Sequence, residues 1–332
     1  LRILIATDLW MPMHHGVERM LHSLVAELRA QGETVEVVGP DRFQTSQSFL
    51  GPTVRLATNV AATIGPMIEE FAPVALHIAT EGTIGFAARQ WCLKHRRSFT
   101  SSYLTKLPEL AQMGFGRSPE MLYAKMRQFH LPSTRVLVPT ASIAGELKTK
   151  GFQNLHVWPF GVDTERFHPR WRAPVDLPRP IHLCVARISA EKNLKAFLDL
   201  DLPGSKIMIG DGPMLEELKQ RYPRVLFPGT QEGEALARFY ASADLFVFPG
   251  RADTFGLVIL EALASGLPVA AFPVAGPRDI IADSGAGVLD EDLGRAVASA
   301  LTISRERARN HALAFSWGRS AERFRELLAT EH

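Results

Sequence analysis

Two carboxylates, Asp253 and Glu261, stand in residues 246–266 with seven residues between them. An apolar stretch leads in through Leu245, Phe246, Val247 and Phe248 and stops at Pro249 and Gly250. A loop follows with Asp253, Thr254, Phe255 and Gly256, then an apolar helix that opens at Leu257 and closes at Ser265 and Gly266. Backbone N–H groups at a helix start attract anions. Strand, glycine-bearing loop and helix start therefore read as a phosphate site. One carboxylate in the loop and another two turns down the helix can read hydroxyls on either side of that phosphate. This is the layout that a nucleotide-sugar site needs.

Other loops carry related chemistry. Arg187 and Lys192, with four residues between them and just past a strand, can clamp a diphosphate. Charge-assisted bonds of that kind contribute about 1.5–3 kcal/mol each. Gly210 and Gly212 flank Asp211 at another strand end and permit a tight backbone; Asp211 could cap the helix that Pro213 begins. Gly16, after Trp10 and the pair His14 and His15, allows close approach to an anion ahead of a helix. His77, in an apolar strand followed by Glu81 and Gly82, is expected either in the core or, as a candidate catalytic residue with Glu81 beside it, facing the cleft and touching the sugar or acceptor. No GxGxxG follows any strand, which disfavours a dinucleotide cofactor. Asp199 with Asp201, Asp290 with Asp292, and His14 with His15 supply no metal-ligand constellation. No metal and no cofactor is expected.

These loops need a frame. The first half alternates strands and helices: strands at 2–8, 34–40, 75–80, 98–103 and 135–140, helices at 17–31, 84–95 and 142–150. Prolines crowd residues 158–180. Strands return at 181–187, 205–211, 224–229, 244–249 and 268–273. Such alternation predicts parallel sheets with helices on both faces. The expected architecture is α/β: two Rossmann-like, doubly wound domains facing a cleft, with ligands at the C-terminal strand ends. The boundaries read as an acceptor-binding domain at 1–165, a linker at 166–180, a nucleotide-sugar domain at 181–312, and a helix at 313–332 returning to the first domain.

The 332 residues suit two domains, and 46% hydrophobic with 22% charged residues suits a globular chain. A net charge of +2 gives no footing for nucleic acid. Cys92 and Cys184 lie far apart, outside any CxxC, as in a reduced cytoplasmic setting. No leader and no spanning segment is expected, so membrane contact would be peripheral. Residues 106–127 mix Leu107, Leu110, Met113, Phe115, Met121, Leu122 and Met126 with Lys106, Arg117, Lys125 and Arg127. That pattern suits either an anionic membrane surface at the inner face or a helix packed on the first domain.

Together the motifs resemble the family 4 retaining glycosyltransferases of GT-B fold, over nearly the whole chain. The family's acidic pair is Glu, seven residues, Glu; this chain has Asp253 and Glu261. The run DTFGLVILEALASGLPVAAFPVAGP looks like a branch that includes bacterial mannosyltransferases and glycolipid synthases. The resemblance implies that Arg187 and Lys192 bind diphosphate and that Glu261 holds the donor ribose. Asp253 and the backbone at Phe255, Gly256 and Leu257 would meet donor sugar and phosphates, with Thr230 near the base. Leu104 stands where the branch usually carries a His. The implied activity is metal-independent hexose transfer from a nucleotide sugar to a lipid or glycan acceptor, GDP-mannose first, UDP-glucose or UDP-galactose next. A nucleotide-sugar-binding protein impaired by Leu104 and a GT-B epimerase or hydrolase are the alternatives.

Overall fold

The segment Arg2–Ala6 is apolar almost throughout, the pattern of a strand covered on both faces. It forms β1, beside which the rest of the first sheet is laid. The computed structural model describes residues 1–10, 16–48, 51–115 and 118–330, with side chains at 47, 48, 51–55, 110 and 113–115 outside that description. It divides into two units, Leu1–Phe160 with Trp317–His332, and Gly161–Ser316.

In the first unit, β1 is followed by α1 (Gly16–Ala30), β2 (Thr34–Val38), the hairpin β3 (Thr45–Ser48) and β4 (Gly51–Ala57), and α2 (Val60–Phe71). Then come β5 (Ala75–Ile78), α3 (Thr83–His95), β6 (Thr100–Ser102), α4 (Leu107–Phe115), α5 (Pro119–His130), β7 (Arg135–Val138), α6 (Ala141–Thr149) and β8 (Leu155–Val157). The sheet order is β2-β1-β5-β6-β7-β8, and every pair is parallel. Side chains alternate across a strand. Leu4, Ala6, Leu76 and Ile78 pack with Ile64, Ile68, Cys92 and Phe129 in one core cluster.

The second unit contains β9 (Ile181–Val185), α7 (Lys195–Leu198), β10 (Ser205–Ile209), α8 (Leu215–Arg221), β11 (Leu226–Gly229), α9 (Gly233–Ser242) and β12 (Leu245–Phe248). It continues through α10 (Leu257–Ala264), β13 (Val269–Ala271), α11 (Pro277–Ile281), β14 (Gly287–Leu289), α12 (Leu293–Ala300) and α13 (Arg305–Ala312). This sheet is also all parallel, in the order β11-β10-β9-β12-β13-β14. The proline-rich stretch packs here: Ala173 N donates to Ser242 Oγ at 3.1 Å, and Arg179 bonds Asp244.

The last helix, α14 (Trp317–Leu327), belongs to the first unit. Phe324 is fully buried against Trp158 and His77, at ring distances of 4.9 and 4.8 Å. Trp158 Nε1 donates to the Ser320 carbonyl at 3.1 Å. No helix among the described residues is long and apolar enough to cross a membrane.

Candidate functional site

Each sheet reverses its strand order once, and the loops after the two flanking strands then lie side by side. In the second unit the reversal falls between β9 and β12, both paired along one edge. The loop after β9 carries Arg187 and Lys192, and the loop after β12 carries Asp253. Lys192 Nζ donates to Asp253 Oδ1 at 2.5 Å, and both side chains are about three-quarters buried, 27% and 23% exposed. Asn193, left-handed at φ +53°, sends its side-chain amide to the Pro249 carbonyl at 3.0 Å. Arg187 is exposed and has no ion-pair partner among the described residues.

The glycines predicted to tighten the backbone do so against this loop. Gly210 and Gly212 have φ of +141° and +158°; an added Cβ would fall 1.9 Å from the Ala186 carbonyl oxygen and 2.4 Å from that of Ile188. Backbone bonds run from Ile188 N to Asp211 O at 2.8 Å and from Met214 N to Ile188 O at 3.1 Å. The two loops are thus one body. Asp211 does not cap a helix: its Oδ1 accepts from Gly212 N, and α8 begins only at Leu215. A hollow of about 200 Å³ lies beside this body, lined by Ser189, Ala190, Asn193, Leu194, Lys195 and Met214.

Helix α10 follows Gly256, φ +98°, which has no side chain to cap it, so its first N–H groups look for an acceptor. Phe255 is buried, whereas Thr254, Gly256 and Leu257 are partly open. Glu261, one face of α10 further on, is buried and accepts from Tyr240 Oη at 2.9 Å. Thr230 is exposed at the end of β11. Beneath the site Cys184 is buried, and burial pushes its thiol up to about 12, which leaves it no nucleophile.

In the first unit the expectation that His77 is catalytic is corrected. The ring is wholly buried; Nδ1 pairs with Thr100 Oγ1 at 2.8 Å and Nε2 with Ser102 Oγ at 2.7 Å. Alternation along β5 turns it away from Leu76 and Ile78 and under Phe324. Burial first, and then the nearby His130, lowers its pKa to about 3, so it stays neutral.

Glu81 pairs with buried His130 at 3.1 Å, and His130 Nδ1 bonds Ser101 Oγ at 2.8 Å. Leu104 is buried. Gly16 begins α1, and none of the described residues comes within 4 Å of where a Cβ would be, while His14 and His15 lie outside the described residues. Within 106–127, Lys106 pairs with Glu146 and Arg127 donates to the Lys150 carbonyl, leaving Lys125 and Met121 exposed; Arg117 and the side chains of Leu110, Met113 and Phe115 lie outside the described residues.

Three residues escaped the sequence reading: Asp8, Tyr240 and Asn193. Asp8 accepts from Gly82 N at 2.9 Å, Ile84 N at 2.8 Å and Thr80 Oγ1 at 2.9 Å, sealing the start of α3. Burial raises its pKa against the pull of those donors. Among the acidic decoys, Asp292 caps α12 through Gly294 N and Arg295 N, and Asp199 accepts from Tyr222 Oη. No cluster of three potential metal ligands occurs among the described residues.

Residues 179–303 match the family described as Glycosyl transferases group 1, and residues 14–166 match Glycosyltransferase Family 4. Sulfoquinovosyl transferase SQD2 of Arabidopsis thaliana is 32% identical over 303 residues, 82% of this chain and 59% of that protein. The chain thus spans under two-thirds of the plant enzyme's length. A GDP-mannose-dependent alpha-mannosyltransferase of Mycobacterium tuberculosis (strain CDC 1551 / Oshkosh) is 29% identical over 314 residues, 87% and 83% of the two chains. Sucrose-phosphate synthase from Thermosynechococcus elongatus superposes with a TM-score of 0.77 at 19% identity, over 98% and 97%. Anabaena HepE in complex with UDP and glucose gives 0.71 at 16%, over 98% of each chain. These structural likenesses show the GT-B fold.

Proposed function

Because the chain belongs to the group 1, family 4 glycosyltransferases, we propose that this hexosyltransferase holds a nucleoside diphosphate sugar at the C-terminal ends of β9 and β12. It passes the hexose to a lipid or glycan acceptor with the anomeric configuration retained. The observation that carries this reading is the meeting of Lys192 with Asp253 at the switch point, beside exposed Arg187 and the uncapped start of α10.

The bond from the sugar's anomeric carbon to the diphosphate oxygen breaks, and its electron pair leaves with the diphosphate. Positive charge develops on the sugar ring, as in glycoside chemistry generally. Arg187, Lys192 and the N–H groups of α10 stabilise the departing anion. The acceptor hydroxyl oxygen bonds the anomeric carbon on the face just vacated, and its proton goes to the diphosphate. Asp253 holds Lys192 until the donor arrives and then faces the sugar. Glu261 holds the ribose. The charges named suffice without a metal ion, so chelation with EDTA is expected to leave turnover unchanged.

GDP-mannose is the favoured donor, in keeping with the mycobacterial relative's name, and a UDP-hexose is next. The acceptor side is placed at an anionic membrane surface through Met121 and Lys125; failure to float with anionic liposomes would remove that placement. The deciding experiment is a thermal-shift screen of GDP- and UDP-sugars followed by product detection. Stabilisation with transfer supports the reading, and Lys192→Ala or Arg187→Ala should then cut turnover strongly. No stabilisation by any nucleotide sugar, or near-normal rates in either variant, would sink it.

A further inference from the structure

We propose that Asn193 is a positioning residue for donor binding: its side-chain amide staples the β9 loop to the β12 loop and so fixes where Lys192 presents its ammonium. The inference rests on the reading that Lys192 meets the donor diphosphate. Asn193 directly follows Lys192 and sits in the left-handed region, which asparagine tolerates better than other residues with a side chain. There its backbone N–H closes the short 3₁₀ turn onto the Ala190 carbonyl at 3.2 Å. Its Nδ2 reaches the Pro249 carbonyl, the last residue before Gly250, at 3.0 Å. The Lys192–Asp253 pair crosses between the same two loops.

The two links differ in what a ligand does to them. An arriving diphosphate competes with Asp253 for Lys192, so the ion pair must loosen when the donor binds. The Asn193–Pro249 bond joins a neutral amide to a backbone carbonyl, and neither partner carries a charge that draws a diphosphate to it as Lys192 does. It can keep the two loops linked while the ion pair exchanges. From the other side, Gly210 and Gly212 press on Ala186 and Ile188 with no room for a Cβ. Lys192 is therefore held below by glycine packing and alongside by Asn193. A lysine swinging on a flexible stem loses more freedom on binding than one already set in place.

The test is a double-mutant cycle on wild type, Asn193→Gly, Lys192→Ala and the double variant, titrated calorimetrically with GDP and with UDP. Glycine accepts the left-handed backbone, so Asn193→Gly removes the amide bond and keeps the turn. Asn193→Asp supplies a second variant that keeps the shape but cannot donate. The expected result is a diphosphate Kd raised about fivefold in either variant, the worth of one neutral hydrogen bond. With Lys192 already alanine, Asn193→Gly should add almost nothing, because Asn193 acts through that lysine. An equal loss in both backgrounds, or none in either, overturns the proposal while leaving the transferase reading intact. Wild-type protein that binds neither diphosphate overturns both.

Discussion

Replacing Tyr240 by Phe removes one hydroxyl and little else. The ring is fully buried on α9, edge-on to Phe167 at 5.6 Å and tilted on Phe246 at 5.7 Å, and phenylalanine keeps both contacts. What goes is the bond from Oη to Glu261 Oε2 at 2.9 Å. A hydrogen bond to a carboxylate contributes about 1.5–3 kcal/mol, more when the acceptor is left buried. For a unit of this size each kcal/mol shifts Tm by about 2–4 °C, so a fall of roughly 3–12 °C is expected. On the proposed reading, Glu261 also loses the group that orients it toward the donor ribose. Reordering that side chain on binding costs about 1 kcal/mol, roughly a fivefold rise in Kd for the nucleoside diphosphate. Melting by circular dichroism and calorimetric titration read the two effects separately. An unchanged Tm would show that the bond contributes nothing. A lowered Tm with unchanged affinity would make Glu261 a structural acid and refute its ribose role.

Asp8→Ala leaves the Gly82 and Ile84 N–H groups unpaired at the start of α3, at about 1–3 kcal/mol each; Tm should fall, and sulfate should restore it more than it stabilises wild type. His77 is held near 3 when folded against 6.5 unfolded. Between those values the unfolded chain binds a proton that the folded chain does not, so stability drops as pH falls through that window, by up to about 1.4 kcal/mol per pH unit. Urea titrations across the window should show a shallower acid limb in His77→Gln; an identical limb would mean that His77 does not titrate this way. Gly212→Ala places a Cβ 2.4 Å from the Ile188 carbonyl oxygen, so turnover should be lost through displacement of the Arg187 and Lys192 loop; full activity would refute the one-body description.

The acidic pair and the basic pair were legible because strand, glycine loop and helix start each leave a local signature, and parallel α/β order sends all such loops to one sheet edge. The meeting of Lys192 with Asp253 follows from that order. The identities of Asp8, Tyr240 and Asn193 were not legible, since their partners lie 74, 21 and 56 residues away and depend on strand order, which no local pattern reveals. His77 misled for a related reason. A polar residue in an apolar strand is compatible with core or cleft, and only Thr100 and Ser102 of β6, with Phe324 arriving from α14, decide for the core. The hairpin β3 and β4 was missed because TSQS has no apolar alternation to mark it.

The two switch points differ in how they would receive an anion. Both place a helix start beside the loop from the neighbouring strand. In the first unit that start is already filled: the Asp8 carboxyl takes the Gly82 and Ile84 N–H groups, and a Cβ on Gly82 would lie 2.4 Å from it. A phosphate approaching α3 would have to displace a buried acid and then face Glu81 nearby. In the second unit the start of α10 has no side-chain cap, and the adjoining loop brings Lys192 and Arg187. Asp253, in the loop that leads into α10, is held by the very lysine that a diphosphate would engage. At these two strand ends, the start of α3 is closed to anions by the Asp8 side chain, and the start of α10 has no such cap. That difference supports the proposed placement of the diphosphate at the β9 and β12 edge without appeal to the spacing of the acidic pair.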